Sequence, residues 1–239
     1  MAFTNRSFAR CCLFLFAGIL LALTPLRADD LPRRSVRCDR WPMEYLIFVP
    51  AGPSSTPLPT VLLLHGAGDQ AEHFIRAWES FAREKKIVLI APQLPRDLKF
   101  EPDAPKVYRC LIEDAGKAAN MDSHRLYLFG HSMGGYLAYD GALLDSEYFA
   151  AAAIHAMGID DDYVAIIGHA TRKIPIAIYM GTKDQMVSLT QVRKTEALLR
   201  KAGFPLHYQE MPEHDHNYYD LADVINRDAW HFLEGYRTP

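Results

Sequence analysis

The segment that most narrows the possible folds is Leu126-Tyr-Leu-Phe-Gly130-His131-Ser132-Met133-Gly134-Gly135. An apolar run suited to a buried strand ends in Gly-x-Ser-x-Gly, and a helix-compatible run, Tyr136 to Leu144, follows at once. A strand that becomes a helix over so few residues holds the serine between them at a strained backbone angle. A β-carbon at Gly130 or Gly134 would strike the neighbouring element, which is why glycine stands at both. The turn therefore reads as a nucleophile elbow. It lifts the Ser132 hydroxyl off the sheet, to a helix N-terminus whose amide dipoles favour developing negative charge.

The rest of the chain supplies the sheet that such a strand needs. Glu44 to Pro50 reads as a first strand after a basic, irregular Leu31–Arg40, and Ala51 to Pro59 as a turn. Thr60 to Leu64 is apolar without alternation, as in a parallel strand covered on both faces. Ala71 to Lys85 carries Phe74, Ile75, Trp78 and Phe81 at helical spacing. Strands follow at Ile87–Ala91, Leu126–Phe129, Phe149–Ile154, Ile174–Met180 and Pro205–Met211, with helices at Val107–Ala119, Leu189–Lys201 and Asn217–Leu233. This alternation predicts an α/β fold: a mostly parallel central sheet with helices on both faces. The connection from Gly158 to Lys173 has room for one short helix, so no large lid domain is expected.

A serine hydroxyl becomes a useful nucleophile when a base takes its proton and a buried acid orients that base. In this architecture the acid and then the histidine follow the serine in sequence, each in a loop past the carboxyl end of a strand. Asp184, four residues beyond Met180, fits the acid; Asp160, Asp161 and Asp162 are fallbacks. Two histidines compete for the base, His214 and His216, both directly after the last strand. They do not suggest a metal site, because no further His or Cys cluster stands at the spacing needed to complete one. Neither a metal nor a cofactor is expected. For an oxyanion, the amide of Met133 and that of Ala67, in His65-Gly66-Ala67-Gly68, are the candidate donors. His65, His131, His155 and His214 are candidates to line the substrate pocket.

The N-terminus reads separately. Arg6 and Arg10 precede an apolar run from Cys11 to Leu23, and Pro25-Leu-Arg-Ala28 leads into Asp29-Asp30. That order predicts a secretory signal peptide over residues 1–28 and a single catalytic domain over 29–239, in a secreted or periplasmic protein. The run is shorter than the roughly 18 apolar residues of a spanning helix, so no stable membrane insertion is expected after cleavage. Cleavage removes Arg6, Arg10 and Arg27 and no acid, taking the formal charge from −3 to −6, with 23 basic against 29 acidic residues. A nucleic-acid partner is not expected of such a chain. Cys38 and Cys110 remain; an oxidising compartment allows them to pair, and the plainer reading of the sequence alone is two separate small apolar residues.

Together these residues resemble the α/β-hydrolase superfamily over nearly the whole mature chain. Leu64-His-Gly-Ala-Gly68 and the compact layout look like secreted esterases related to feruloyl esterases and polyhydroxybutyrate depolymerases. Gly130-His-Ser-Met-Gly-Gly135 and Asp215-His-Asn-Tyr-Tyr219 look like the esterase D group, which includes S-formylglutathione hydrolases. In that group the histidine of an Asp-His-Ser-Tyr-Tyr run is the base, which maps onto His216; this chain has Asn217 in place of the serine. The resemblance implies a serine esterase acting on small-molecule or polymer-attached esters. Two rival readings are a peptidase of the prolyl-oligopeptidase type and a non-catalytic binding domain on the same scaffold. The first usually carries an extra domain that this length does not accommodate, and the second typically lacks one member of the Ser, Asp, His set.

Overall fold

The computed structural model describes residues 31–51, 55–94, 102–161 and 163–239. The predicted signal segment, parts of the turn at 51–59 and the loop after the strand at 87–91, and Asp162 lie outside them. The strands are β1 (Arg33–Cys38), β2 (Trp41–Phe48), β3 (Leu58–Leu64), β4 (Val88–Pro92), β5 (Met121–His131), β6 (Ala151–His155), β7 (Ile176–Gly181) and β8 (Leu206–Met211). They form one sheet in the order β1-β2-β4-β3-β5-β6-β7-β8. The β1–β2 and β2–β4 pairings are antiparallel, and every pairing from β4 to β8 is parallel.

Among the described residues five α-helices cover the sheet: α1 (Ala71–Lys85), α2 (Ala104–Ala115), α3 (Met133–Leu144), α4 (Leu189–Lys201) and α5 (Ala222–Leu233). One apolar layer packs α2, α3 and α4 against one face, and a second packs α1 and α5 against the other. Strands β3, β4, β6 and β7 are buried along their whole length, which is what their unbroken apolar runs require. The doubly covered, mostly parallel sheet expected from the sequence is present.

Strand β5 is longer than expected, running from Met121 to His131 rather than from Leu126 to Phe129, and three further elements differ. Arg33–Cys38 is a strand, not an irregular lead-in; it pairs with β2 through a tight turn in which Asp39 takes φ +56°. Its alternating exposed arginines are the charges that a sheet edge carries against further pairing. Helix α2 begins three residues early, with Pro105 in its first turn, and stops at Gly116. The last predicted helix is two pieces, a 3-10 turn at Tyr218–Asp220 and then α5, because the Asn217 side chain accepts from the Tyr219 amide and caps that turn. Between β6 and β7 the described residues hold only a 3-10 turn, Val164–His169, with Ile166 and Ile167 buried. No helix among the described residues is long and apolar enough to cross a membrane.

The cysteines are joined: Cys38 and Cys110 form a disulfide with their Cα atoms 5.6 Å apart. It ties the end of the edge strand β1 to α2.

Strand order fixes where a ligand can go. From β3 the chain steps to β4 on one side and then crosses to β5 on the other. The crevice beyond the carboxyl ends of β3 and β5 is therefore the switch point of the sheet, where open α/β sheets receive ligands.

Candidate active site

Ser132 stands at that switch point, between β5 and α3, with φ +53° and ψ −121°. For a residue with a β-carbon this geometry costs on the order of 1–3 kcal/mol and persists only where the surroundings enforce it. They do. A β-carbon on Gly134 would lie 1.9 Å from the Leu64 carbonyl oxygen, and one on Gly130 would lie 2.1 Å from the Gly134 carbonyl oxygen. The start of α3 therefore closes against β3 at Gly134 and against the end of β5 at Gly130, with nothing but hydrogen at both positions. The Ser132 amide donates to the His155 carbonyl at 2.9 Å, fixing the turn to β6 as well.

The other two groups arrive on the neighbouring loops. Gly181 ends β7, and a β-carbon there would stand 2.3 Å from the His214 carbonyl oxygen, so the loops after β7 and β8 press together at that glycine. Asp184 braces its own turn: Oδ1 accepts from the Met186 amide at 2.8 Å and the Val187 amide at 2.9 Å. Its Oδ2, in a side chain wholly shielded from solvent, accepts from His216 Nδ1 at 2.7 Å. Ser132 Oγ in turn donates to His216 Nε2 at 2.9 Å. Of the two competing histidines it is His216 that meets Ser132. The carboxylate fixes the tautomer that leaves Nε2 free to accept. Asp184 does not cap α4, which has its own cap in Ser188. The fallback acids are turned elsewhere: Asp160 accepts from the Tyr163 amide and Asp161 pairs with Lys194, while Asp162 lies outside the described residues.

These groups open onto a cleft of about 670 Å³. Gly66, Ala67 and Gly68 form one wall, His131 and Ser132 the floor, and Lys183, Gln185, Met186, Asp215, His216, Asn217, Asp69 and Tyr219 the rest. Ala67 thus borders the cleft beside Ser132. The Met133 amide, at the first position of α3, is one of the N–H groups that a helix start leaves without an intrahelical acceptor. Tyr219 Oη donates to Asp69, so the loop after β8 is tied across the cleft to the loop after β3. The rim residues Asp69, Lys183, Gln185, Met186, Asn217 and Tyr219 were not singled out from sequence. Their one signal is that they follow strand ends, and no pattern tells which of several loop residues faces inward.

Three of the four histidines expected to line the pocket do not. His65 is fully buried; Nδ1–H donates to the Gly66 carbonyl at 2.8 Å and Nε2 accepts from the Leu94 amide at 2.9 Å. It pins the Gly66–Gly68 loop to the segment after β4. His155 is also fully buried and His214 nearly so, both behind His131. Only His131 reaches the cleft. Burial lowers the basicity of all four, taking His131, with His216 alongside, down to about 4 and His155 well below the ordinary range. Among the described residues no cluster of His, Cys, Asp and Glu could hold a metal ion.

The profile of the Alpha/beta hydrolase family matches residues 61–233. A bifunctional acetylxylan esterase/xylanase of Neocallimastix patriciarum is 29% identical over 142 residues, which cover 56% of this chain and 20% of that protein. Among solved structures, a thermostable esterase superposes with TM-score 0.70 at 23% identity, over 87% of this chain and 64% of the other. Esterase 2 of Thermogutta terrifontis superposes with TM-score 0.71 at 16% identity, over 89% of this chain and 97% of the other. The chain thus spans about a fifth of the acetylxylan esterase/xylanase and under two thirds of the thermostable esterase. At these identities the structural likenesses speak for the fold.

Proposed function

We propose, because this chain belongs to the α/β-hydrolase family, that it is a serine esterase working through an acyl-enzyme on Ser132. The observation that carries this reading is the continuous hydrogen-bonded line from Ser132 Oγ through the His216 ring to Asp184, at 2.9 and 2.7 Å. In the reading, His216 Nε2 takes the Ser132 proton as Oγ attacks the ester carbonyl, then returns that proton to the departing alcohol. Asp184 keeps the ring oriented and stabilises the imidazolium that forms. The Ala67 and Met133 amides donate to the oxyanion. Water, activated by the same histidine, then attacks the acyl-enzyme and frees the acid. No cofactor is needed for either half.

An ester substrate is favoured over a peptide because a relative with detectable sequence likeness is an acetylxylan esterase/xylanase. The same relative, with the polar rim of an open cleft, supports an ester carried on a sugar or polymer. The basic, apolar and small-residue order of residues 1–28 supports export, as does the Cys38–Cys110 bridge, since disulfides persist in oxidising compartments.

Ser132→Ala is the direct test. Its folded variant should lose turnover of an aryl acetate by at least about a hundredfold, with an unchanged circular dichroism spectrum. A folded variant above that limit removes Ser132 from the role. The histidines are separated in the same assay: His216→Ala should lower kcat by several orders of magnitude, and His214→Ala by about tenfold. The reverse order would hand the base to His214.

A further inference from the structure

Behind Ser132 lies a chain of imidazoles that the acyl-transfer steps leave unused. His131 and His155 are register partners on the adjacent parallel strands β5 and β6, which puts their side chains on one face of the sheet. Their rings stack at 4.9 Å, with Nδ1 of one 2.9 Å from Nδ1 of the other. His155 Nε2 is in turn 3.2 Å from His214 Nε2. Tyr218, wholly buried, packs on both His131 and His155 and donates its hydroxyl to Asn226, holding the stack from the side.

Counting protons on this chain leaves two arrangements. Each neutral ring carries one N–H, and each of the two bonds needs one. If His155 is protonated on Nδ1, it donates to His131, His214 donates to His155, and the proton of His131 must sit on Nε2. If His155 is protonated on Nε2, it donates to His214, His131 donates to His155, and His131 Nε2 is bare. The tautomer of His131 is thus coupled to that of a ring that never reaches the cleft. The depressed basicity of all three rings fits a chain that stays neutral.

His131 Nε2 is the end that the cleft sees. A β-carbon on Gly66 would lie 3.4 Å from this nitrogen and 3.5 Å from Ser132 Cβ, so Nε2, Gly66 and Ser132 converge on one corner of the cleft. We propose that His131 is a substrate-contacting hydrogen-bond donor, and that His155 and His214 are positioning residues which set its Nε2–H when negative charge develops in that corner. This rests on Ser132 being the nucleophile. Moving from the second arrangement to the first keeps every ring neutral. A proton enters at His131 Nε2, the His131 Nδ1 proton passes to His155 Nδ1, the His155 Nε2 proton passes to His214 Nε2, and the His214 Nδ1 proton leaves to solvent. No oxidant, metal or net charge is involved. The charged and titratable groups bearing on the two ends are Asp69, Asp184 and His216 at His131, and Asp184, Asp215, Asp220 and His216 at His214.

The test uses the protein labelled with nitrogen-15 in its histidines and then phosphonylated with a fluorophosphonate, whose tetrahedral adduct carries an oxygen where the oxyanion would be. Nitrogen shifts should place the proton of His131 on Nε2 in the adduct, with His155 on Nδ1 and His214 on Nε2. His131 protonated on Nδ1 in an adduct on Ser132 overturns the relay and spares the nucleophile. A probe that fails to label Ser132 overturns both. Kinetics give the second reading: His131→Phe keeps the ring stack and should lower kcat at least about tenfold with little change in KM, as loss of a donor used in the transition state does. His155→Phe should lower kcat several-fold and release His131 into mixed tautomers. A folded His131→Phe protein with wild-type kcat overturns the proposal.

Discussion

Burial of His65, His131, His155 and His214 gives the molecule a pH dependence of definite sign. Each would take up a proton near pH 6.5 in an unfolded chain, whereas the folded protein holds them below that, His131 at about 4. As pH falls from about 6.5 towards 4 the unfolded state binds protons that the native state refuses, so stability, complete above about 6.5, is lost through that window. The melting temperature should fall between pH 7 and pH 5, and the fall should be shallower in His155→Phe. A melting temperature that is flat or rises on acidification contradicts this. Chain order and strand ends pointed in sequence to Ser132 and Asp184, which the structure links through His216, but they left His214 and His216 competing, and only the resemblance to the esterase D run favoured His216. The roles of His65, His155 and His214 were not readable, because they depend on which face of a strand end is covered. His155 looked like a pocket residue by position, and the register that seats it behind His131 exists only once β5 and β6 pair.

Strands and helices with unbroken apolar runs or a clean helical period were legible from sequence, among them β3, β4, β7, α1 and α4, because their burial is written in residue type. Polar elements were not. β1 and the first half of β5, Met121 to Arg125, are rich in polar and charged residues; β1 is a strand through its pairing with β2 rather than its composition, and Met121 pairs with Leu58 before the register shifts to Leu126. For β1 part of that security is covalent. The Cys38–Cys110 bridge closes a loop of 72 residues, which in the chain-entropy account destabilises the unfolded state by about 4 kcal/mol. Replacing both cysteines by serine should lower the melting temperature by several degrees. It should leave kcat unchanged at temperatures where the variant is folded, since the bridge pins the sheet edge opposite to β8. An unchanged melting temperature would mean that packing alone holds β1 in place.

At the scale of the whole molecule the open question is access to Ser132. Hydrolases that act at lipid surfaces commonly cover the nucleophile with an inserted lid whose apolar underside is exposed on opening, and the natural place for it is between β6 and β7. Here the described residues of that connection include one helical piece, a 3-10 turn whose isoleucines are already buried and so are not free to form the underside of a lid. The rim of the cleft is formed by Asp69, Lys183, Gln185, Asp215 and Asn217, with Met186 and Tyr219 as its exposed apolar surface. Two such residues make far less than the several hundred Å² of contiguous apolar surface that marks a membrane-docking patch. Tyr219 is also held down by its bond to Asp69. Among the described residues nothing blocks entry of a substrate from water, and the rim they form offers an interface little to bury. Hydrolysis of a short-chain ester such as a butyrate should follow a simple saturation curve and continue smoothly through the solubility limit of the substrate. A sharp rise in rate once droplets form would mean that a covering segment opens at the interface, and would place the rate-controlling step in that motion rather than in the chemistry at Ser132.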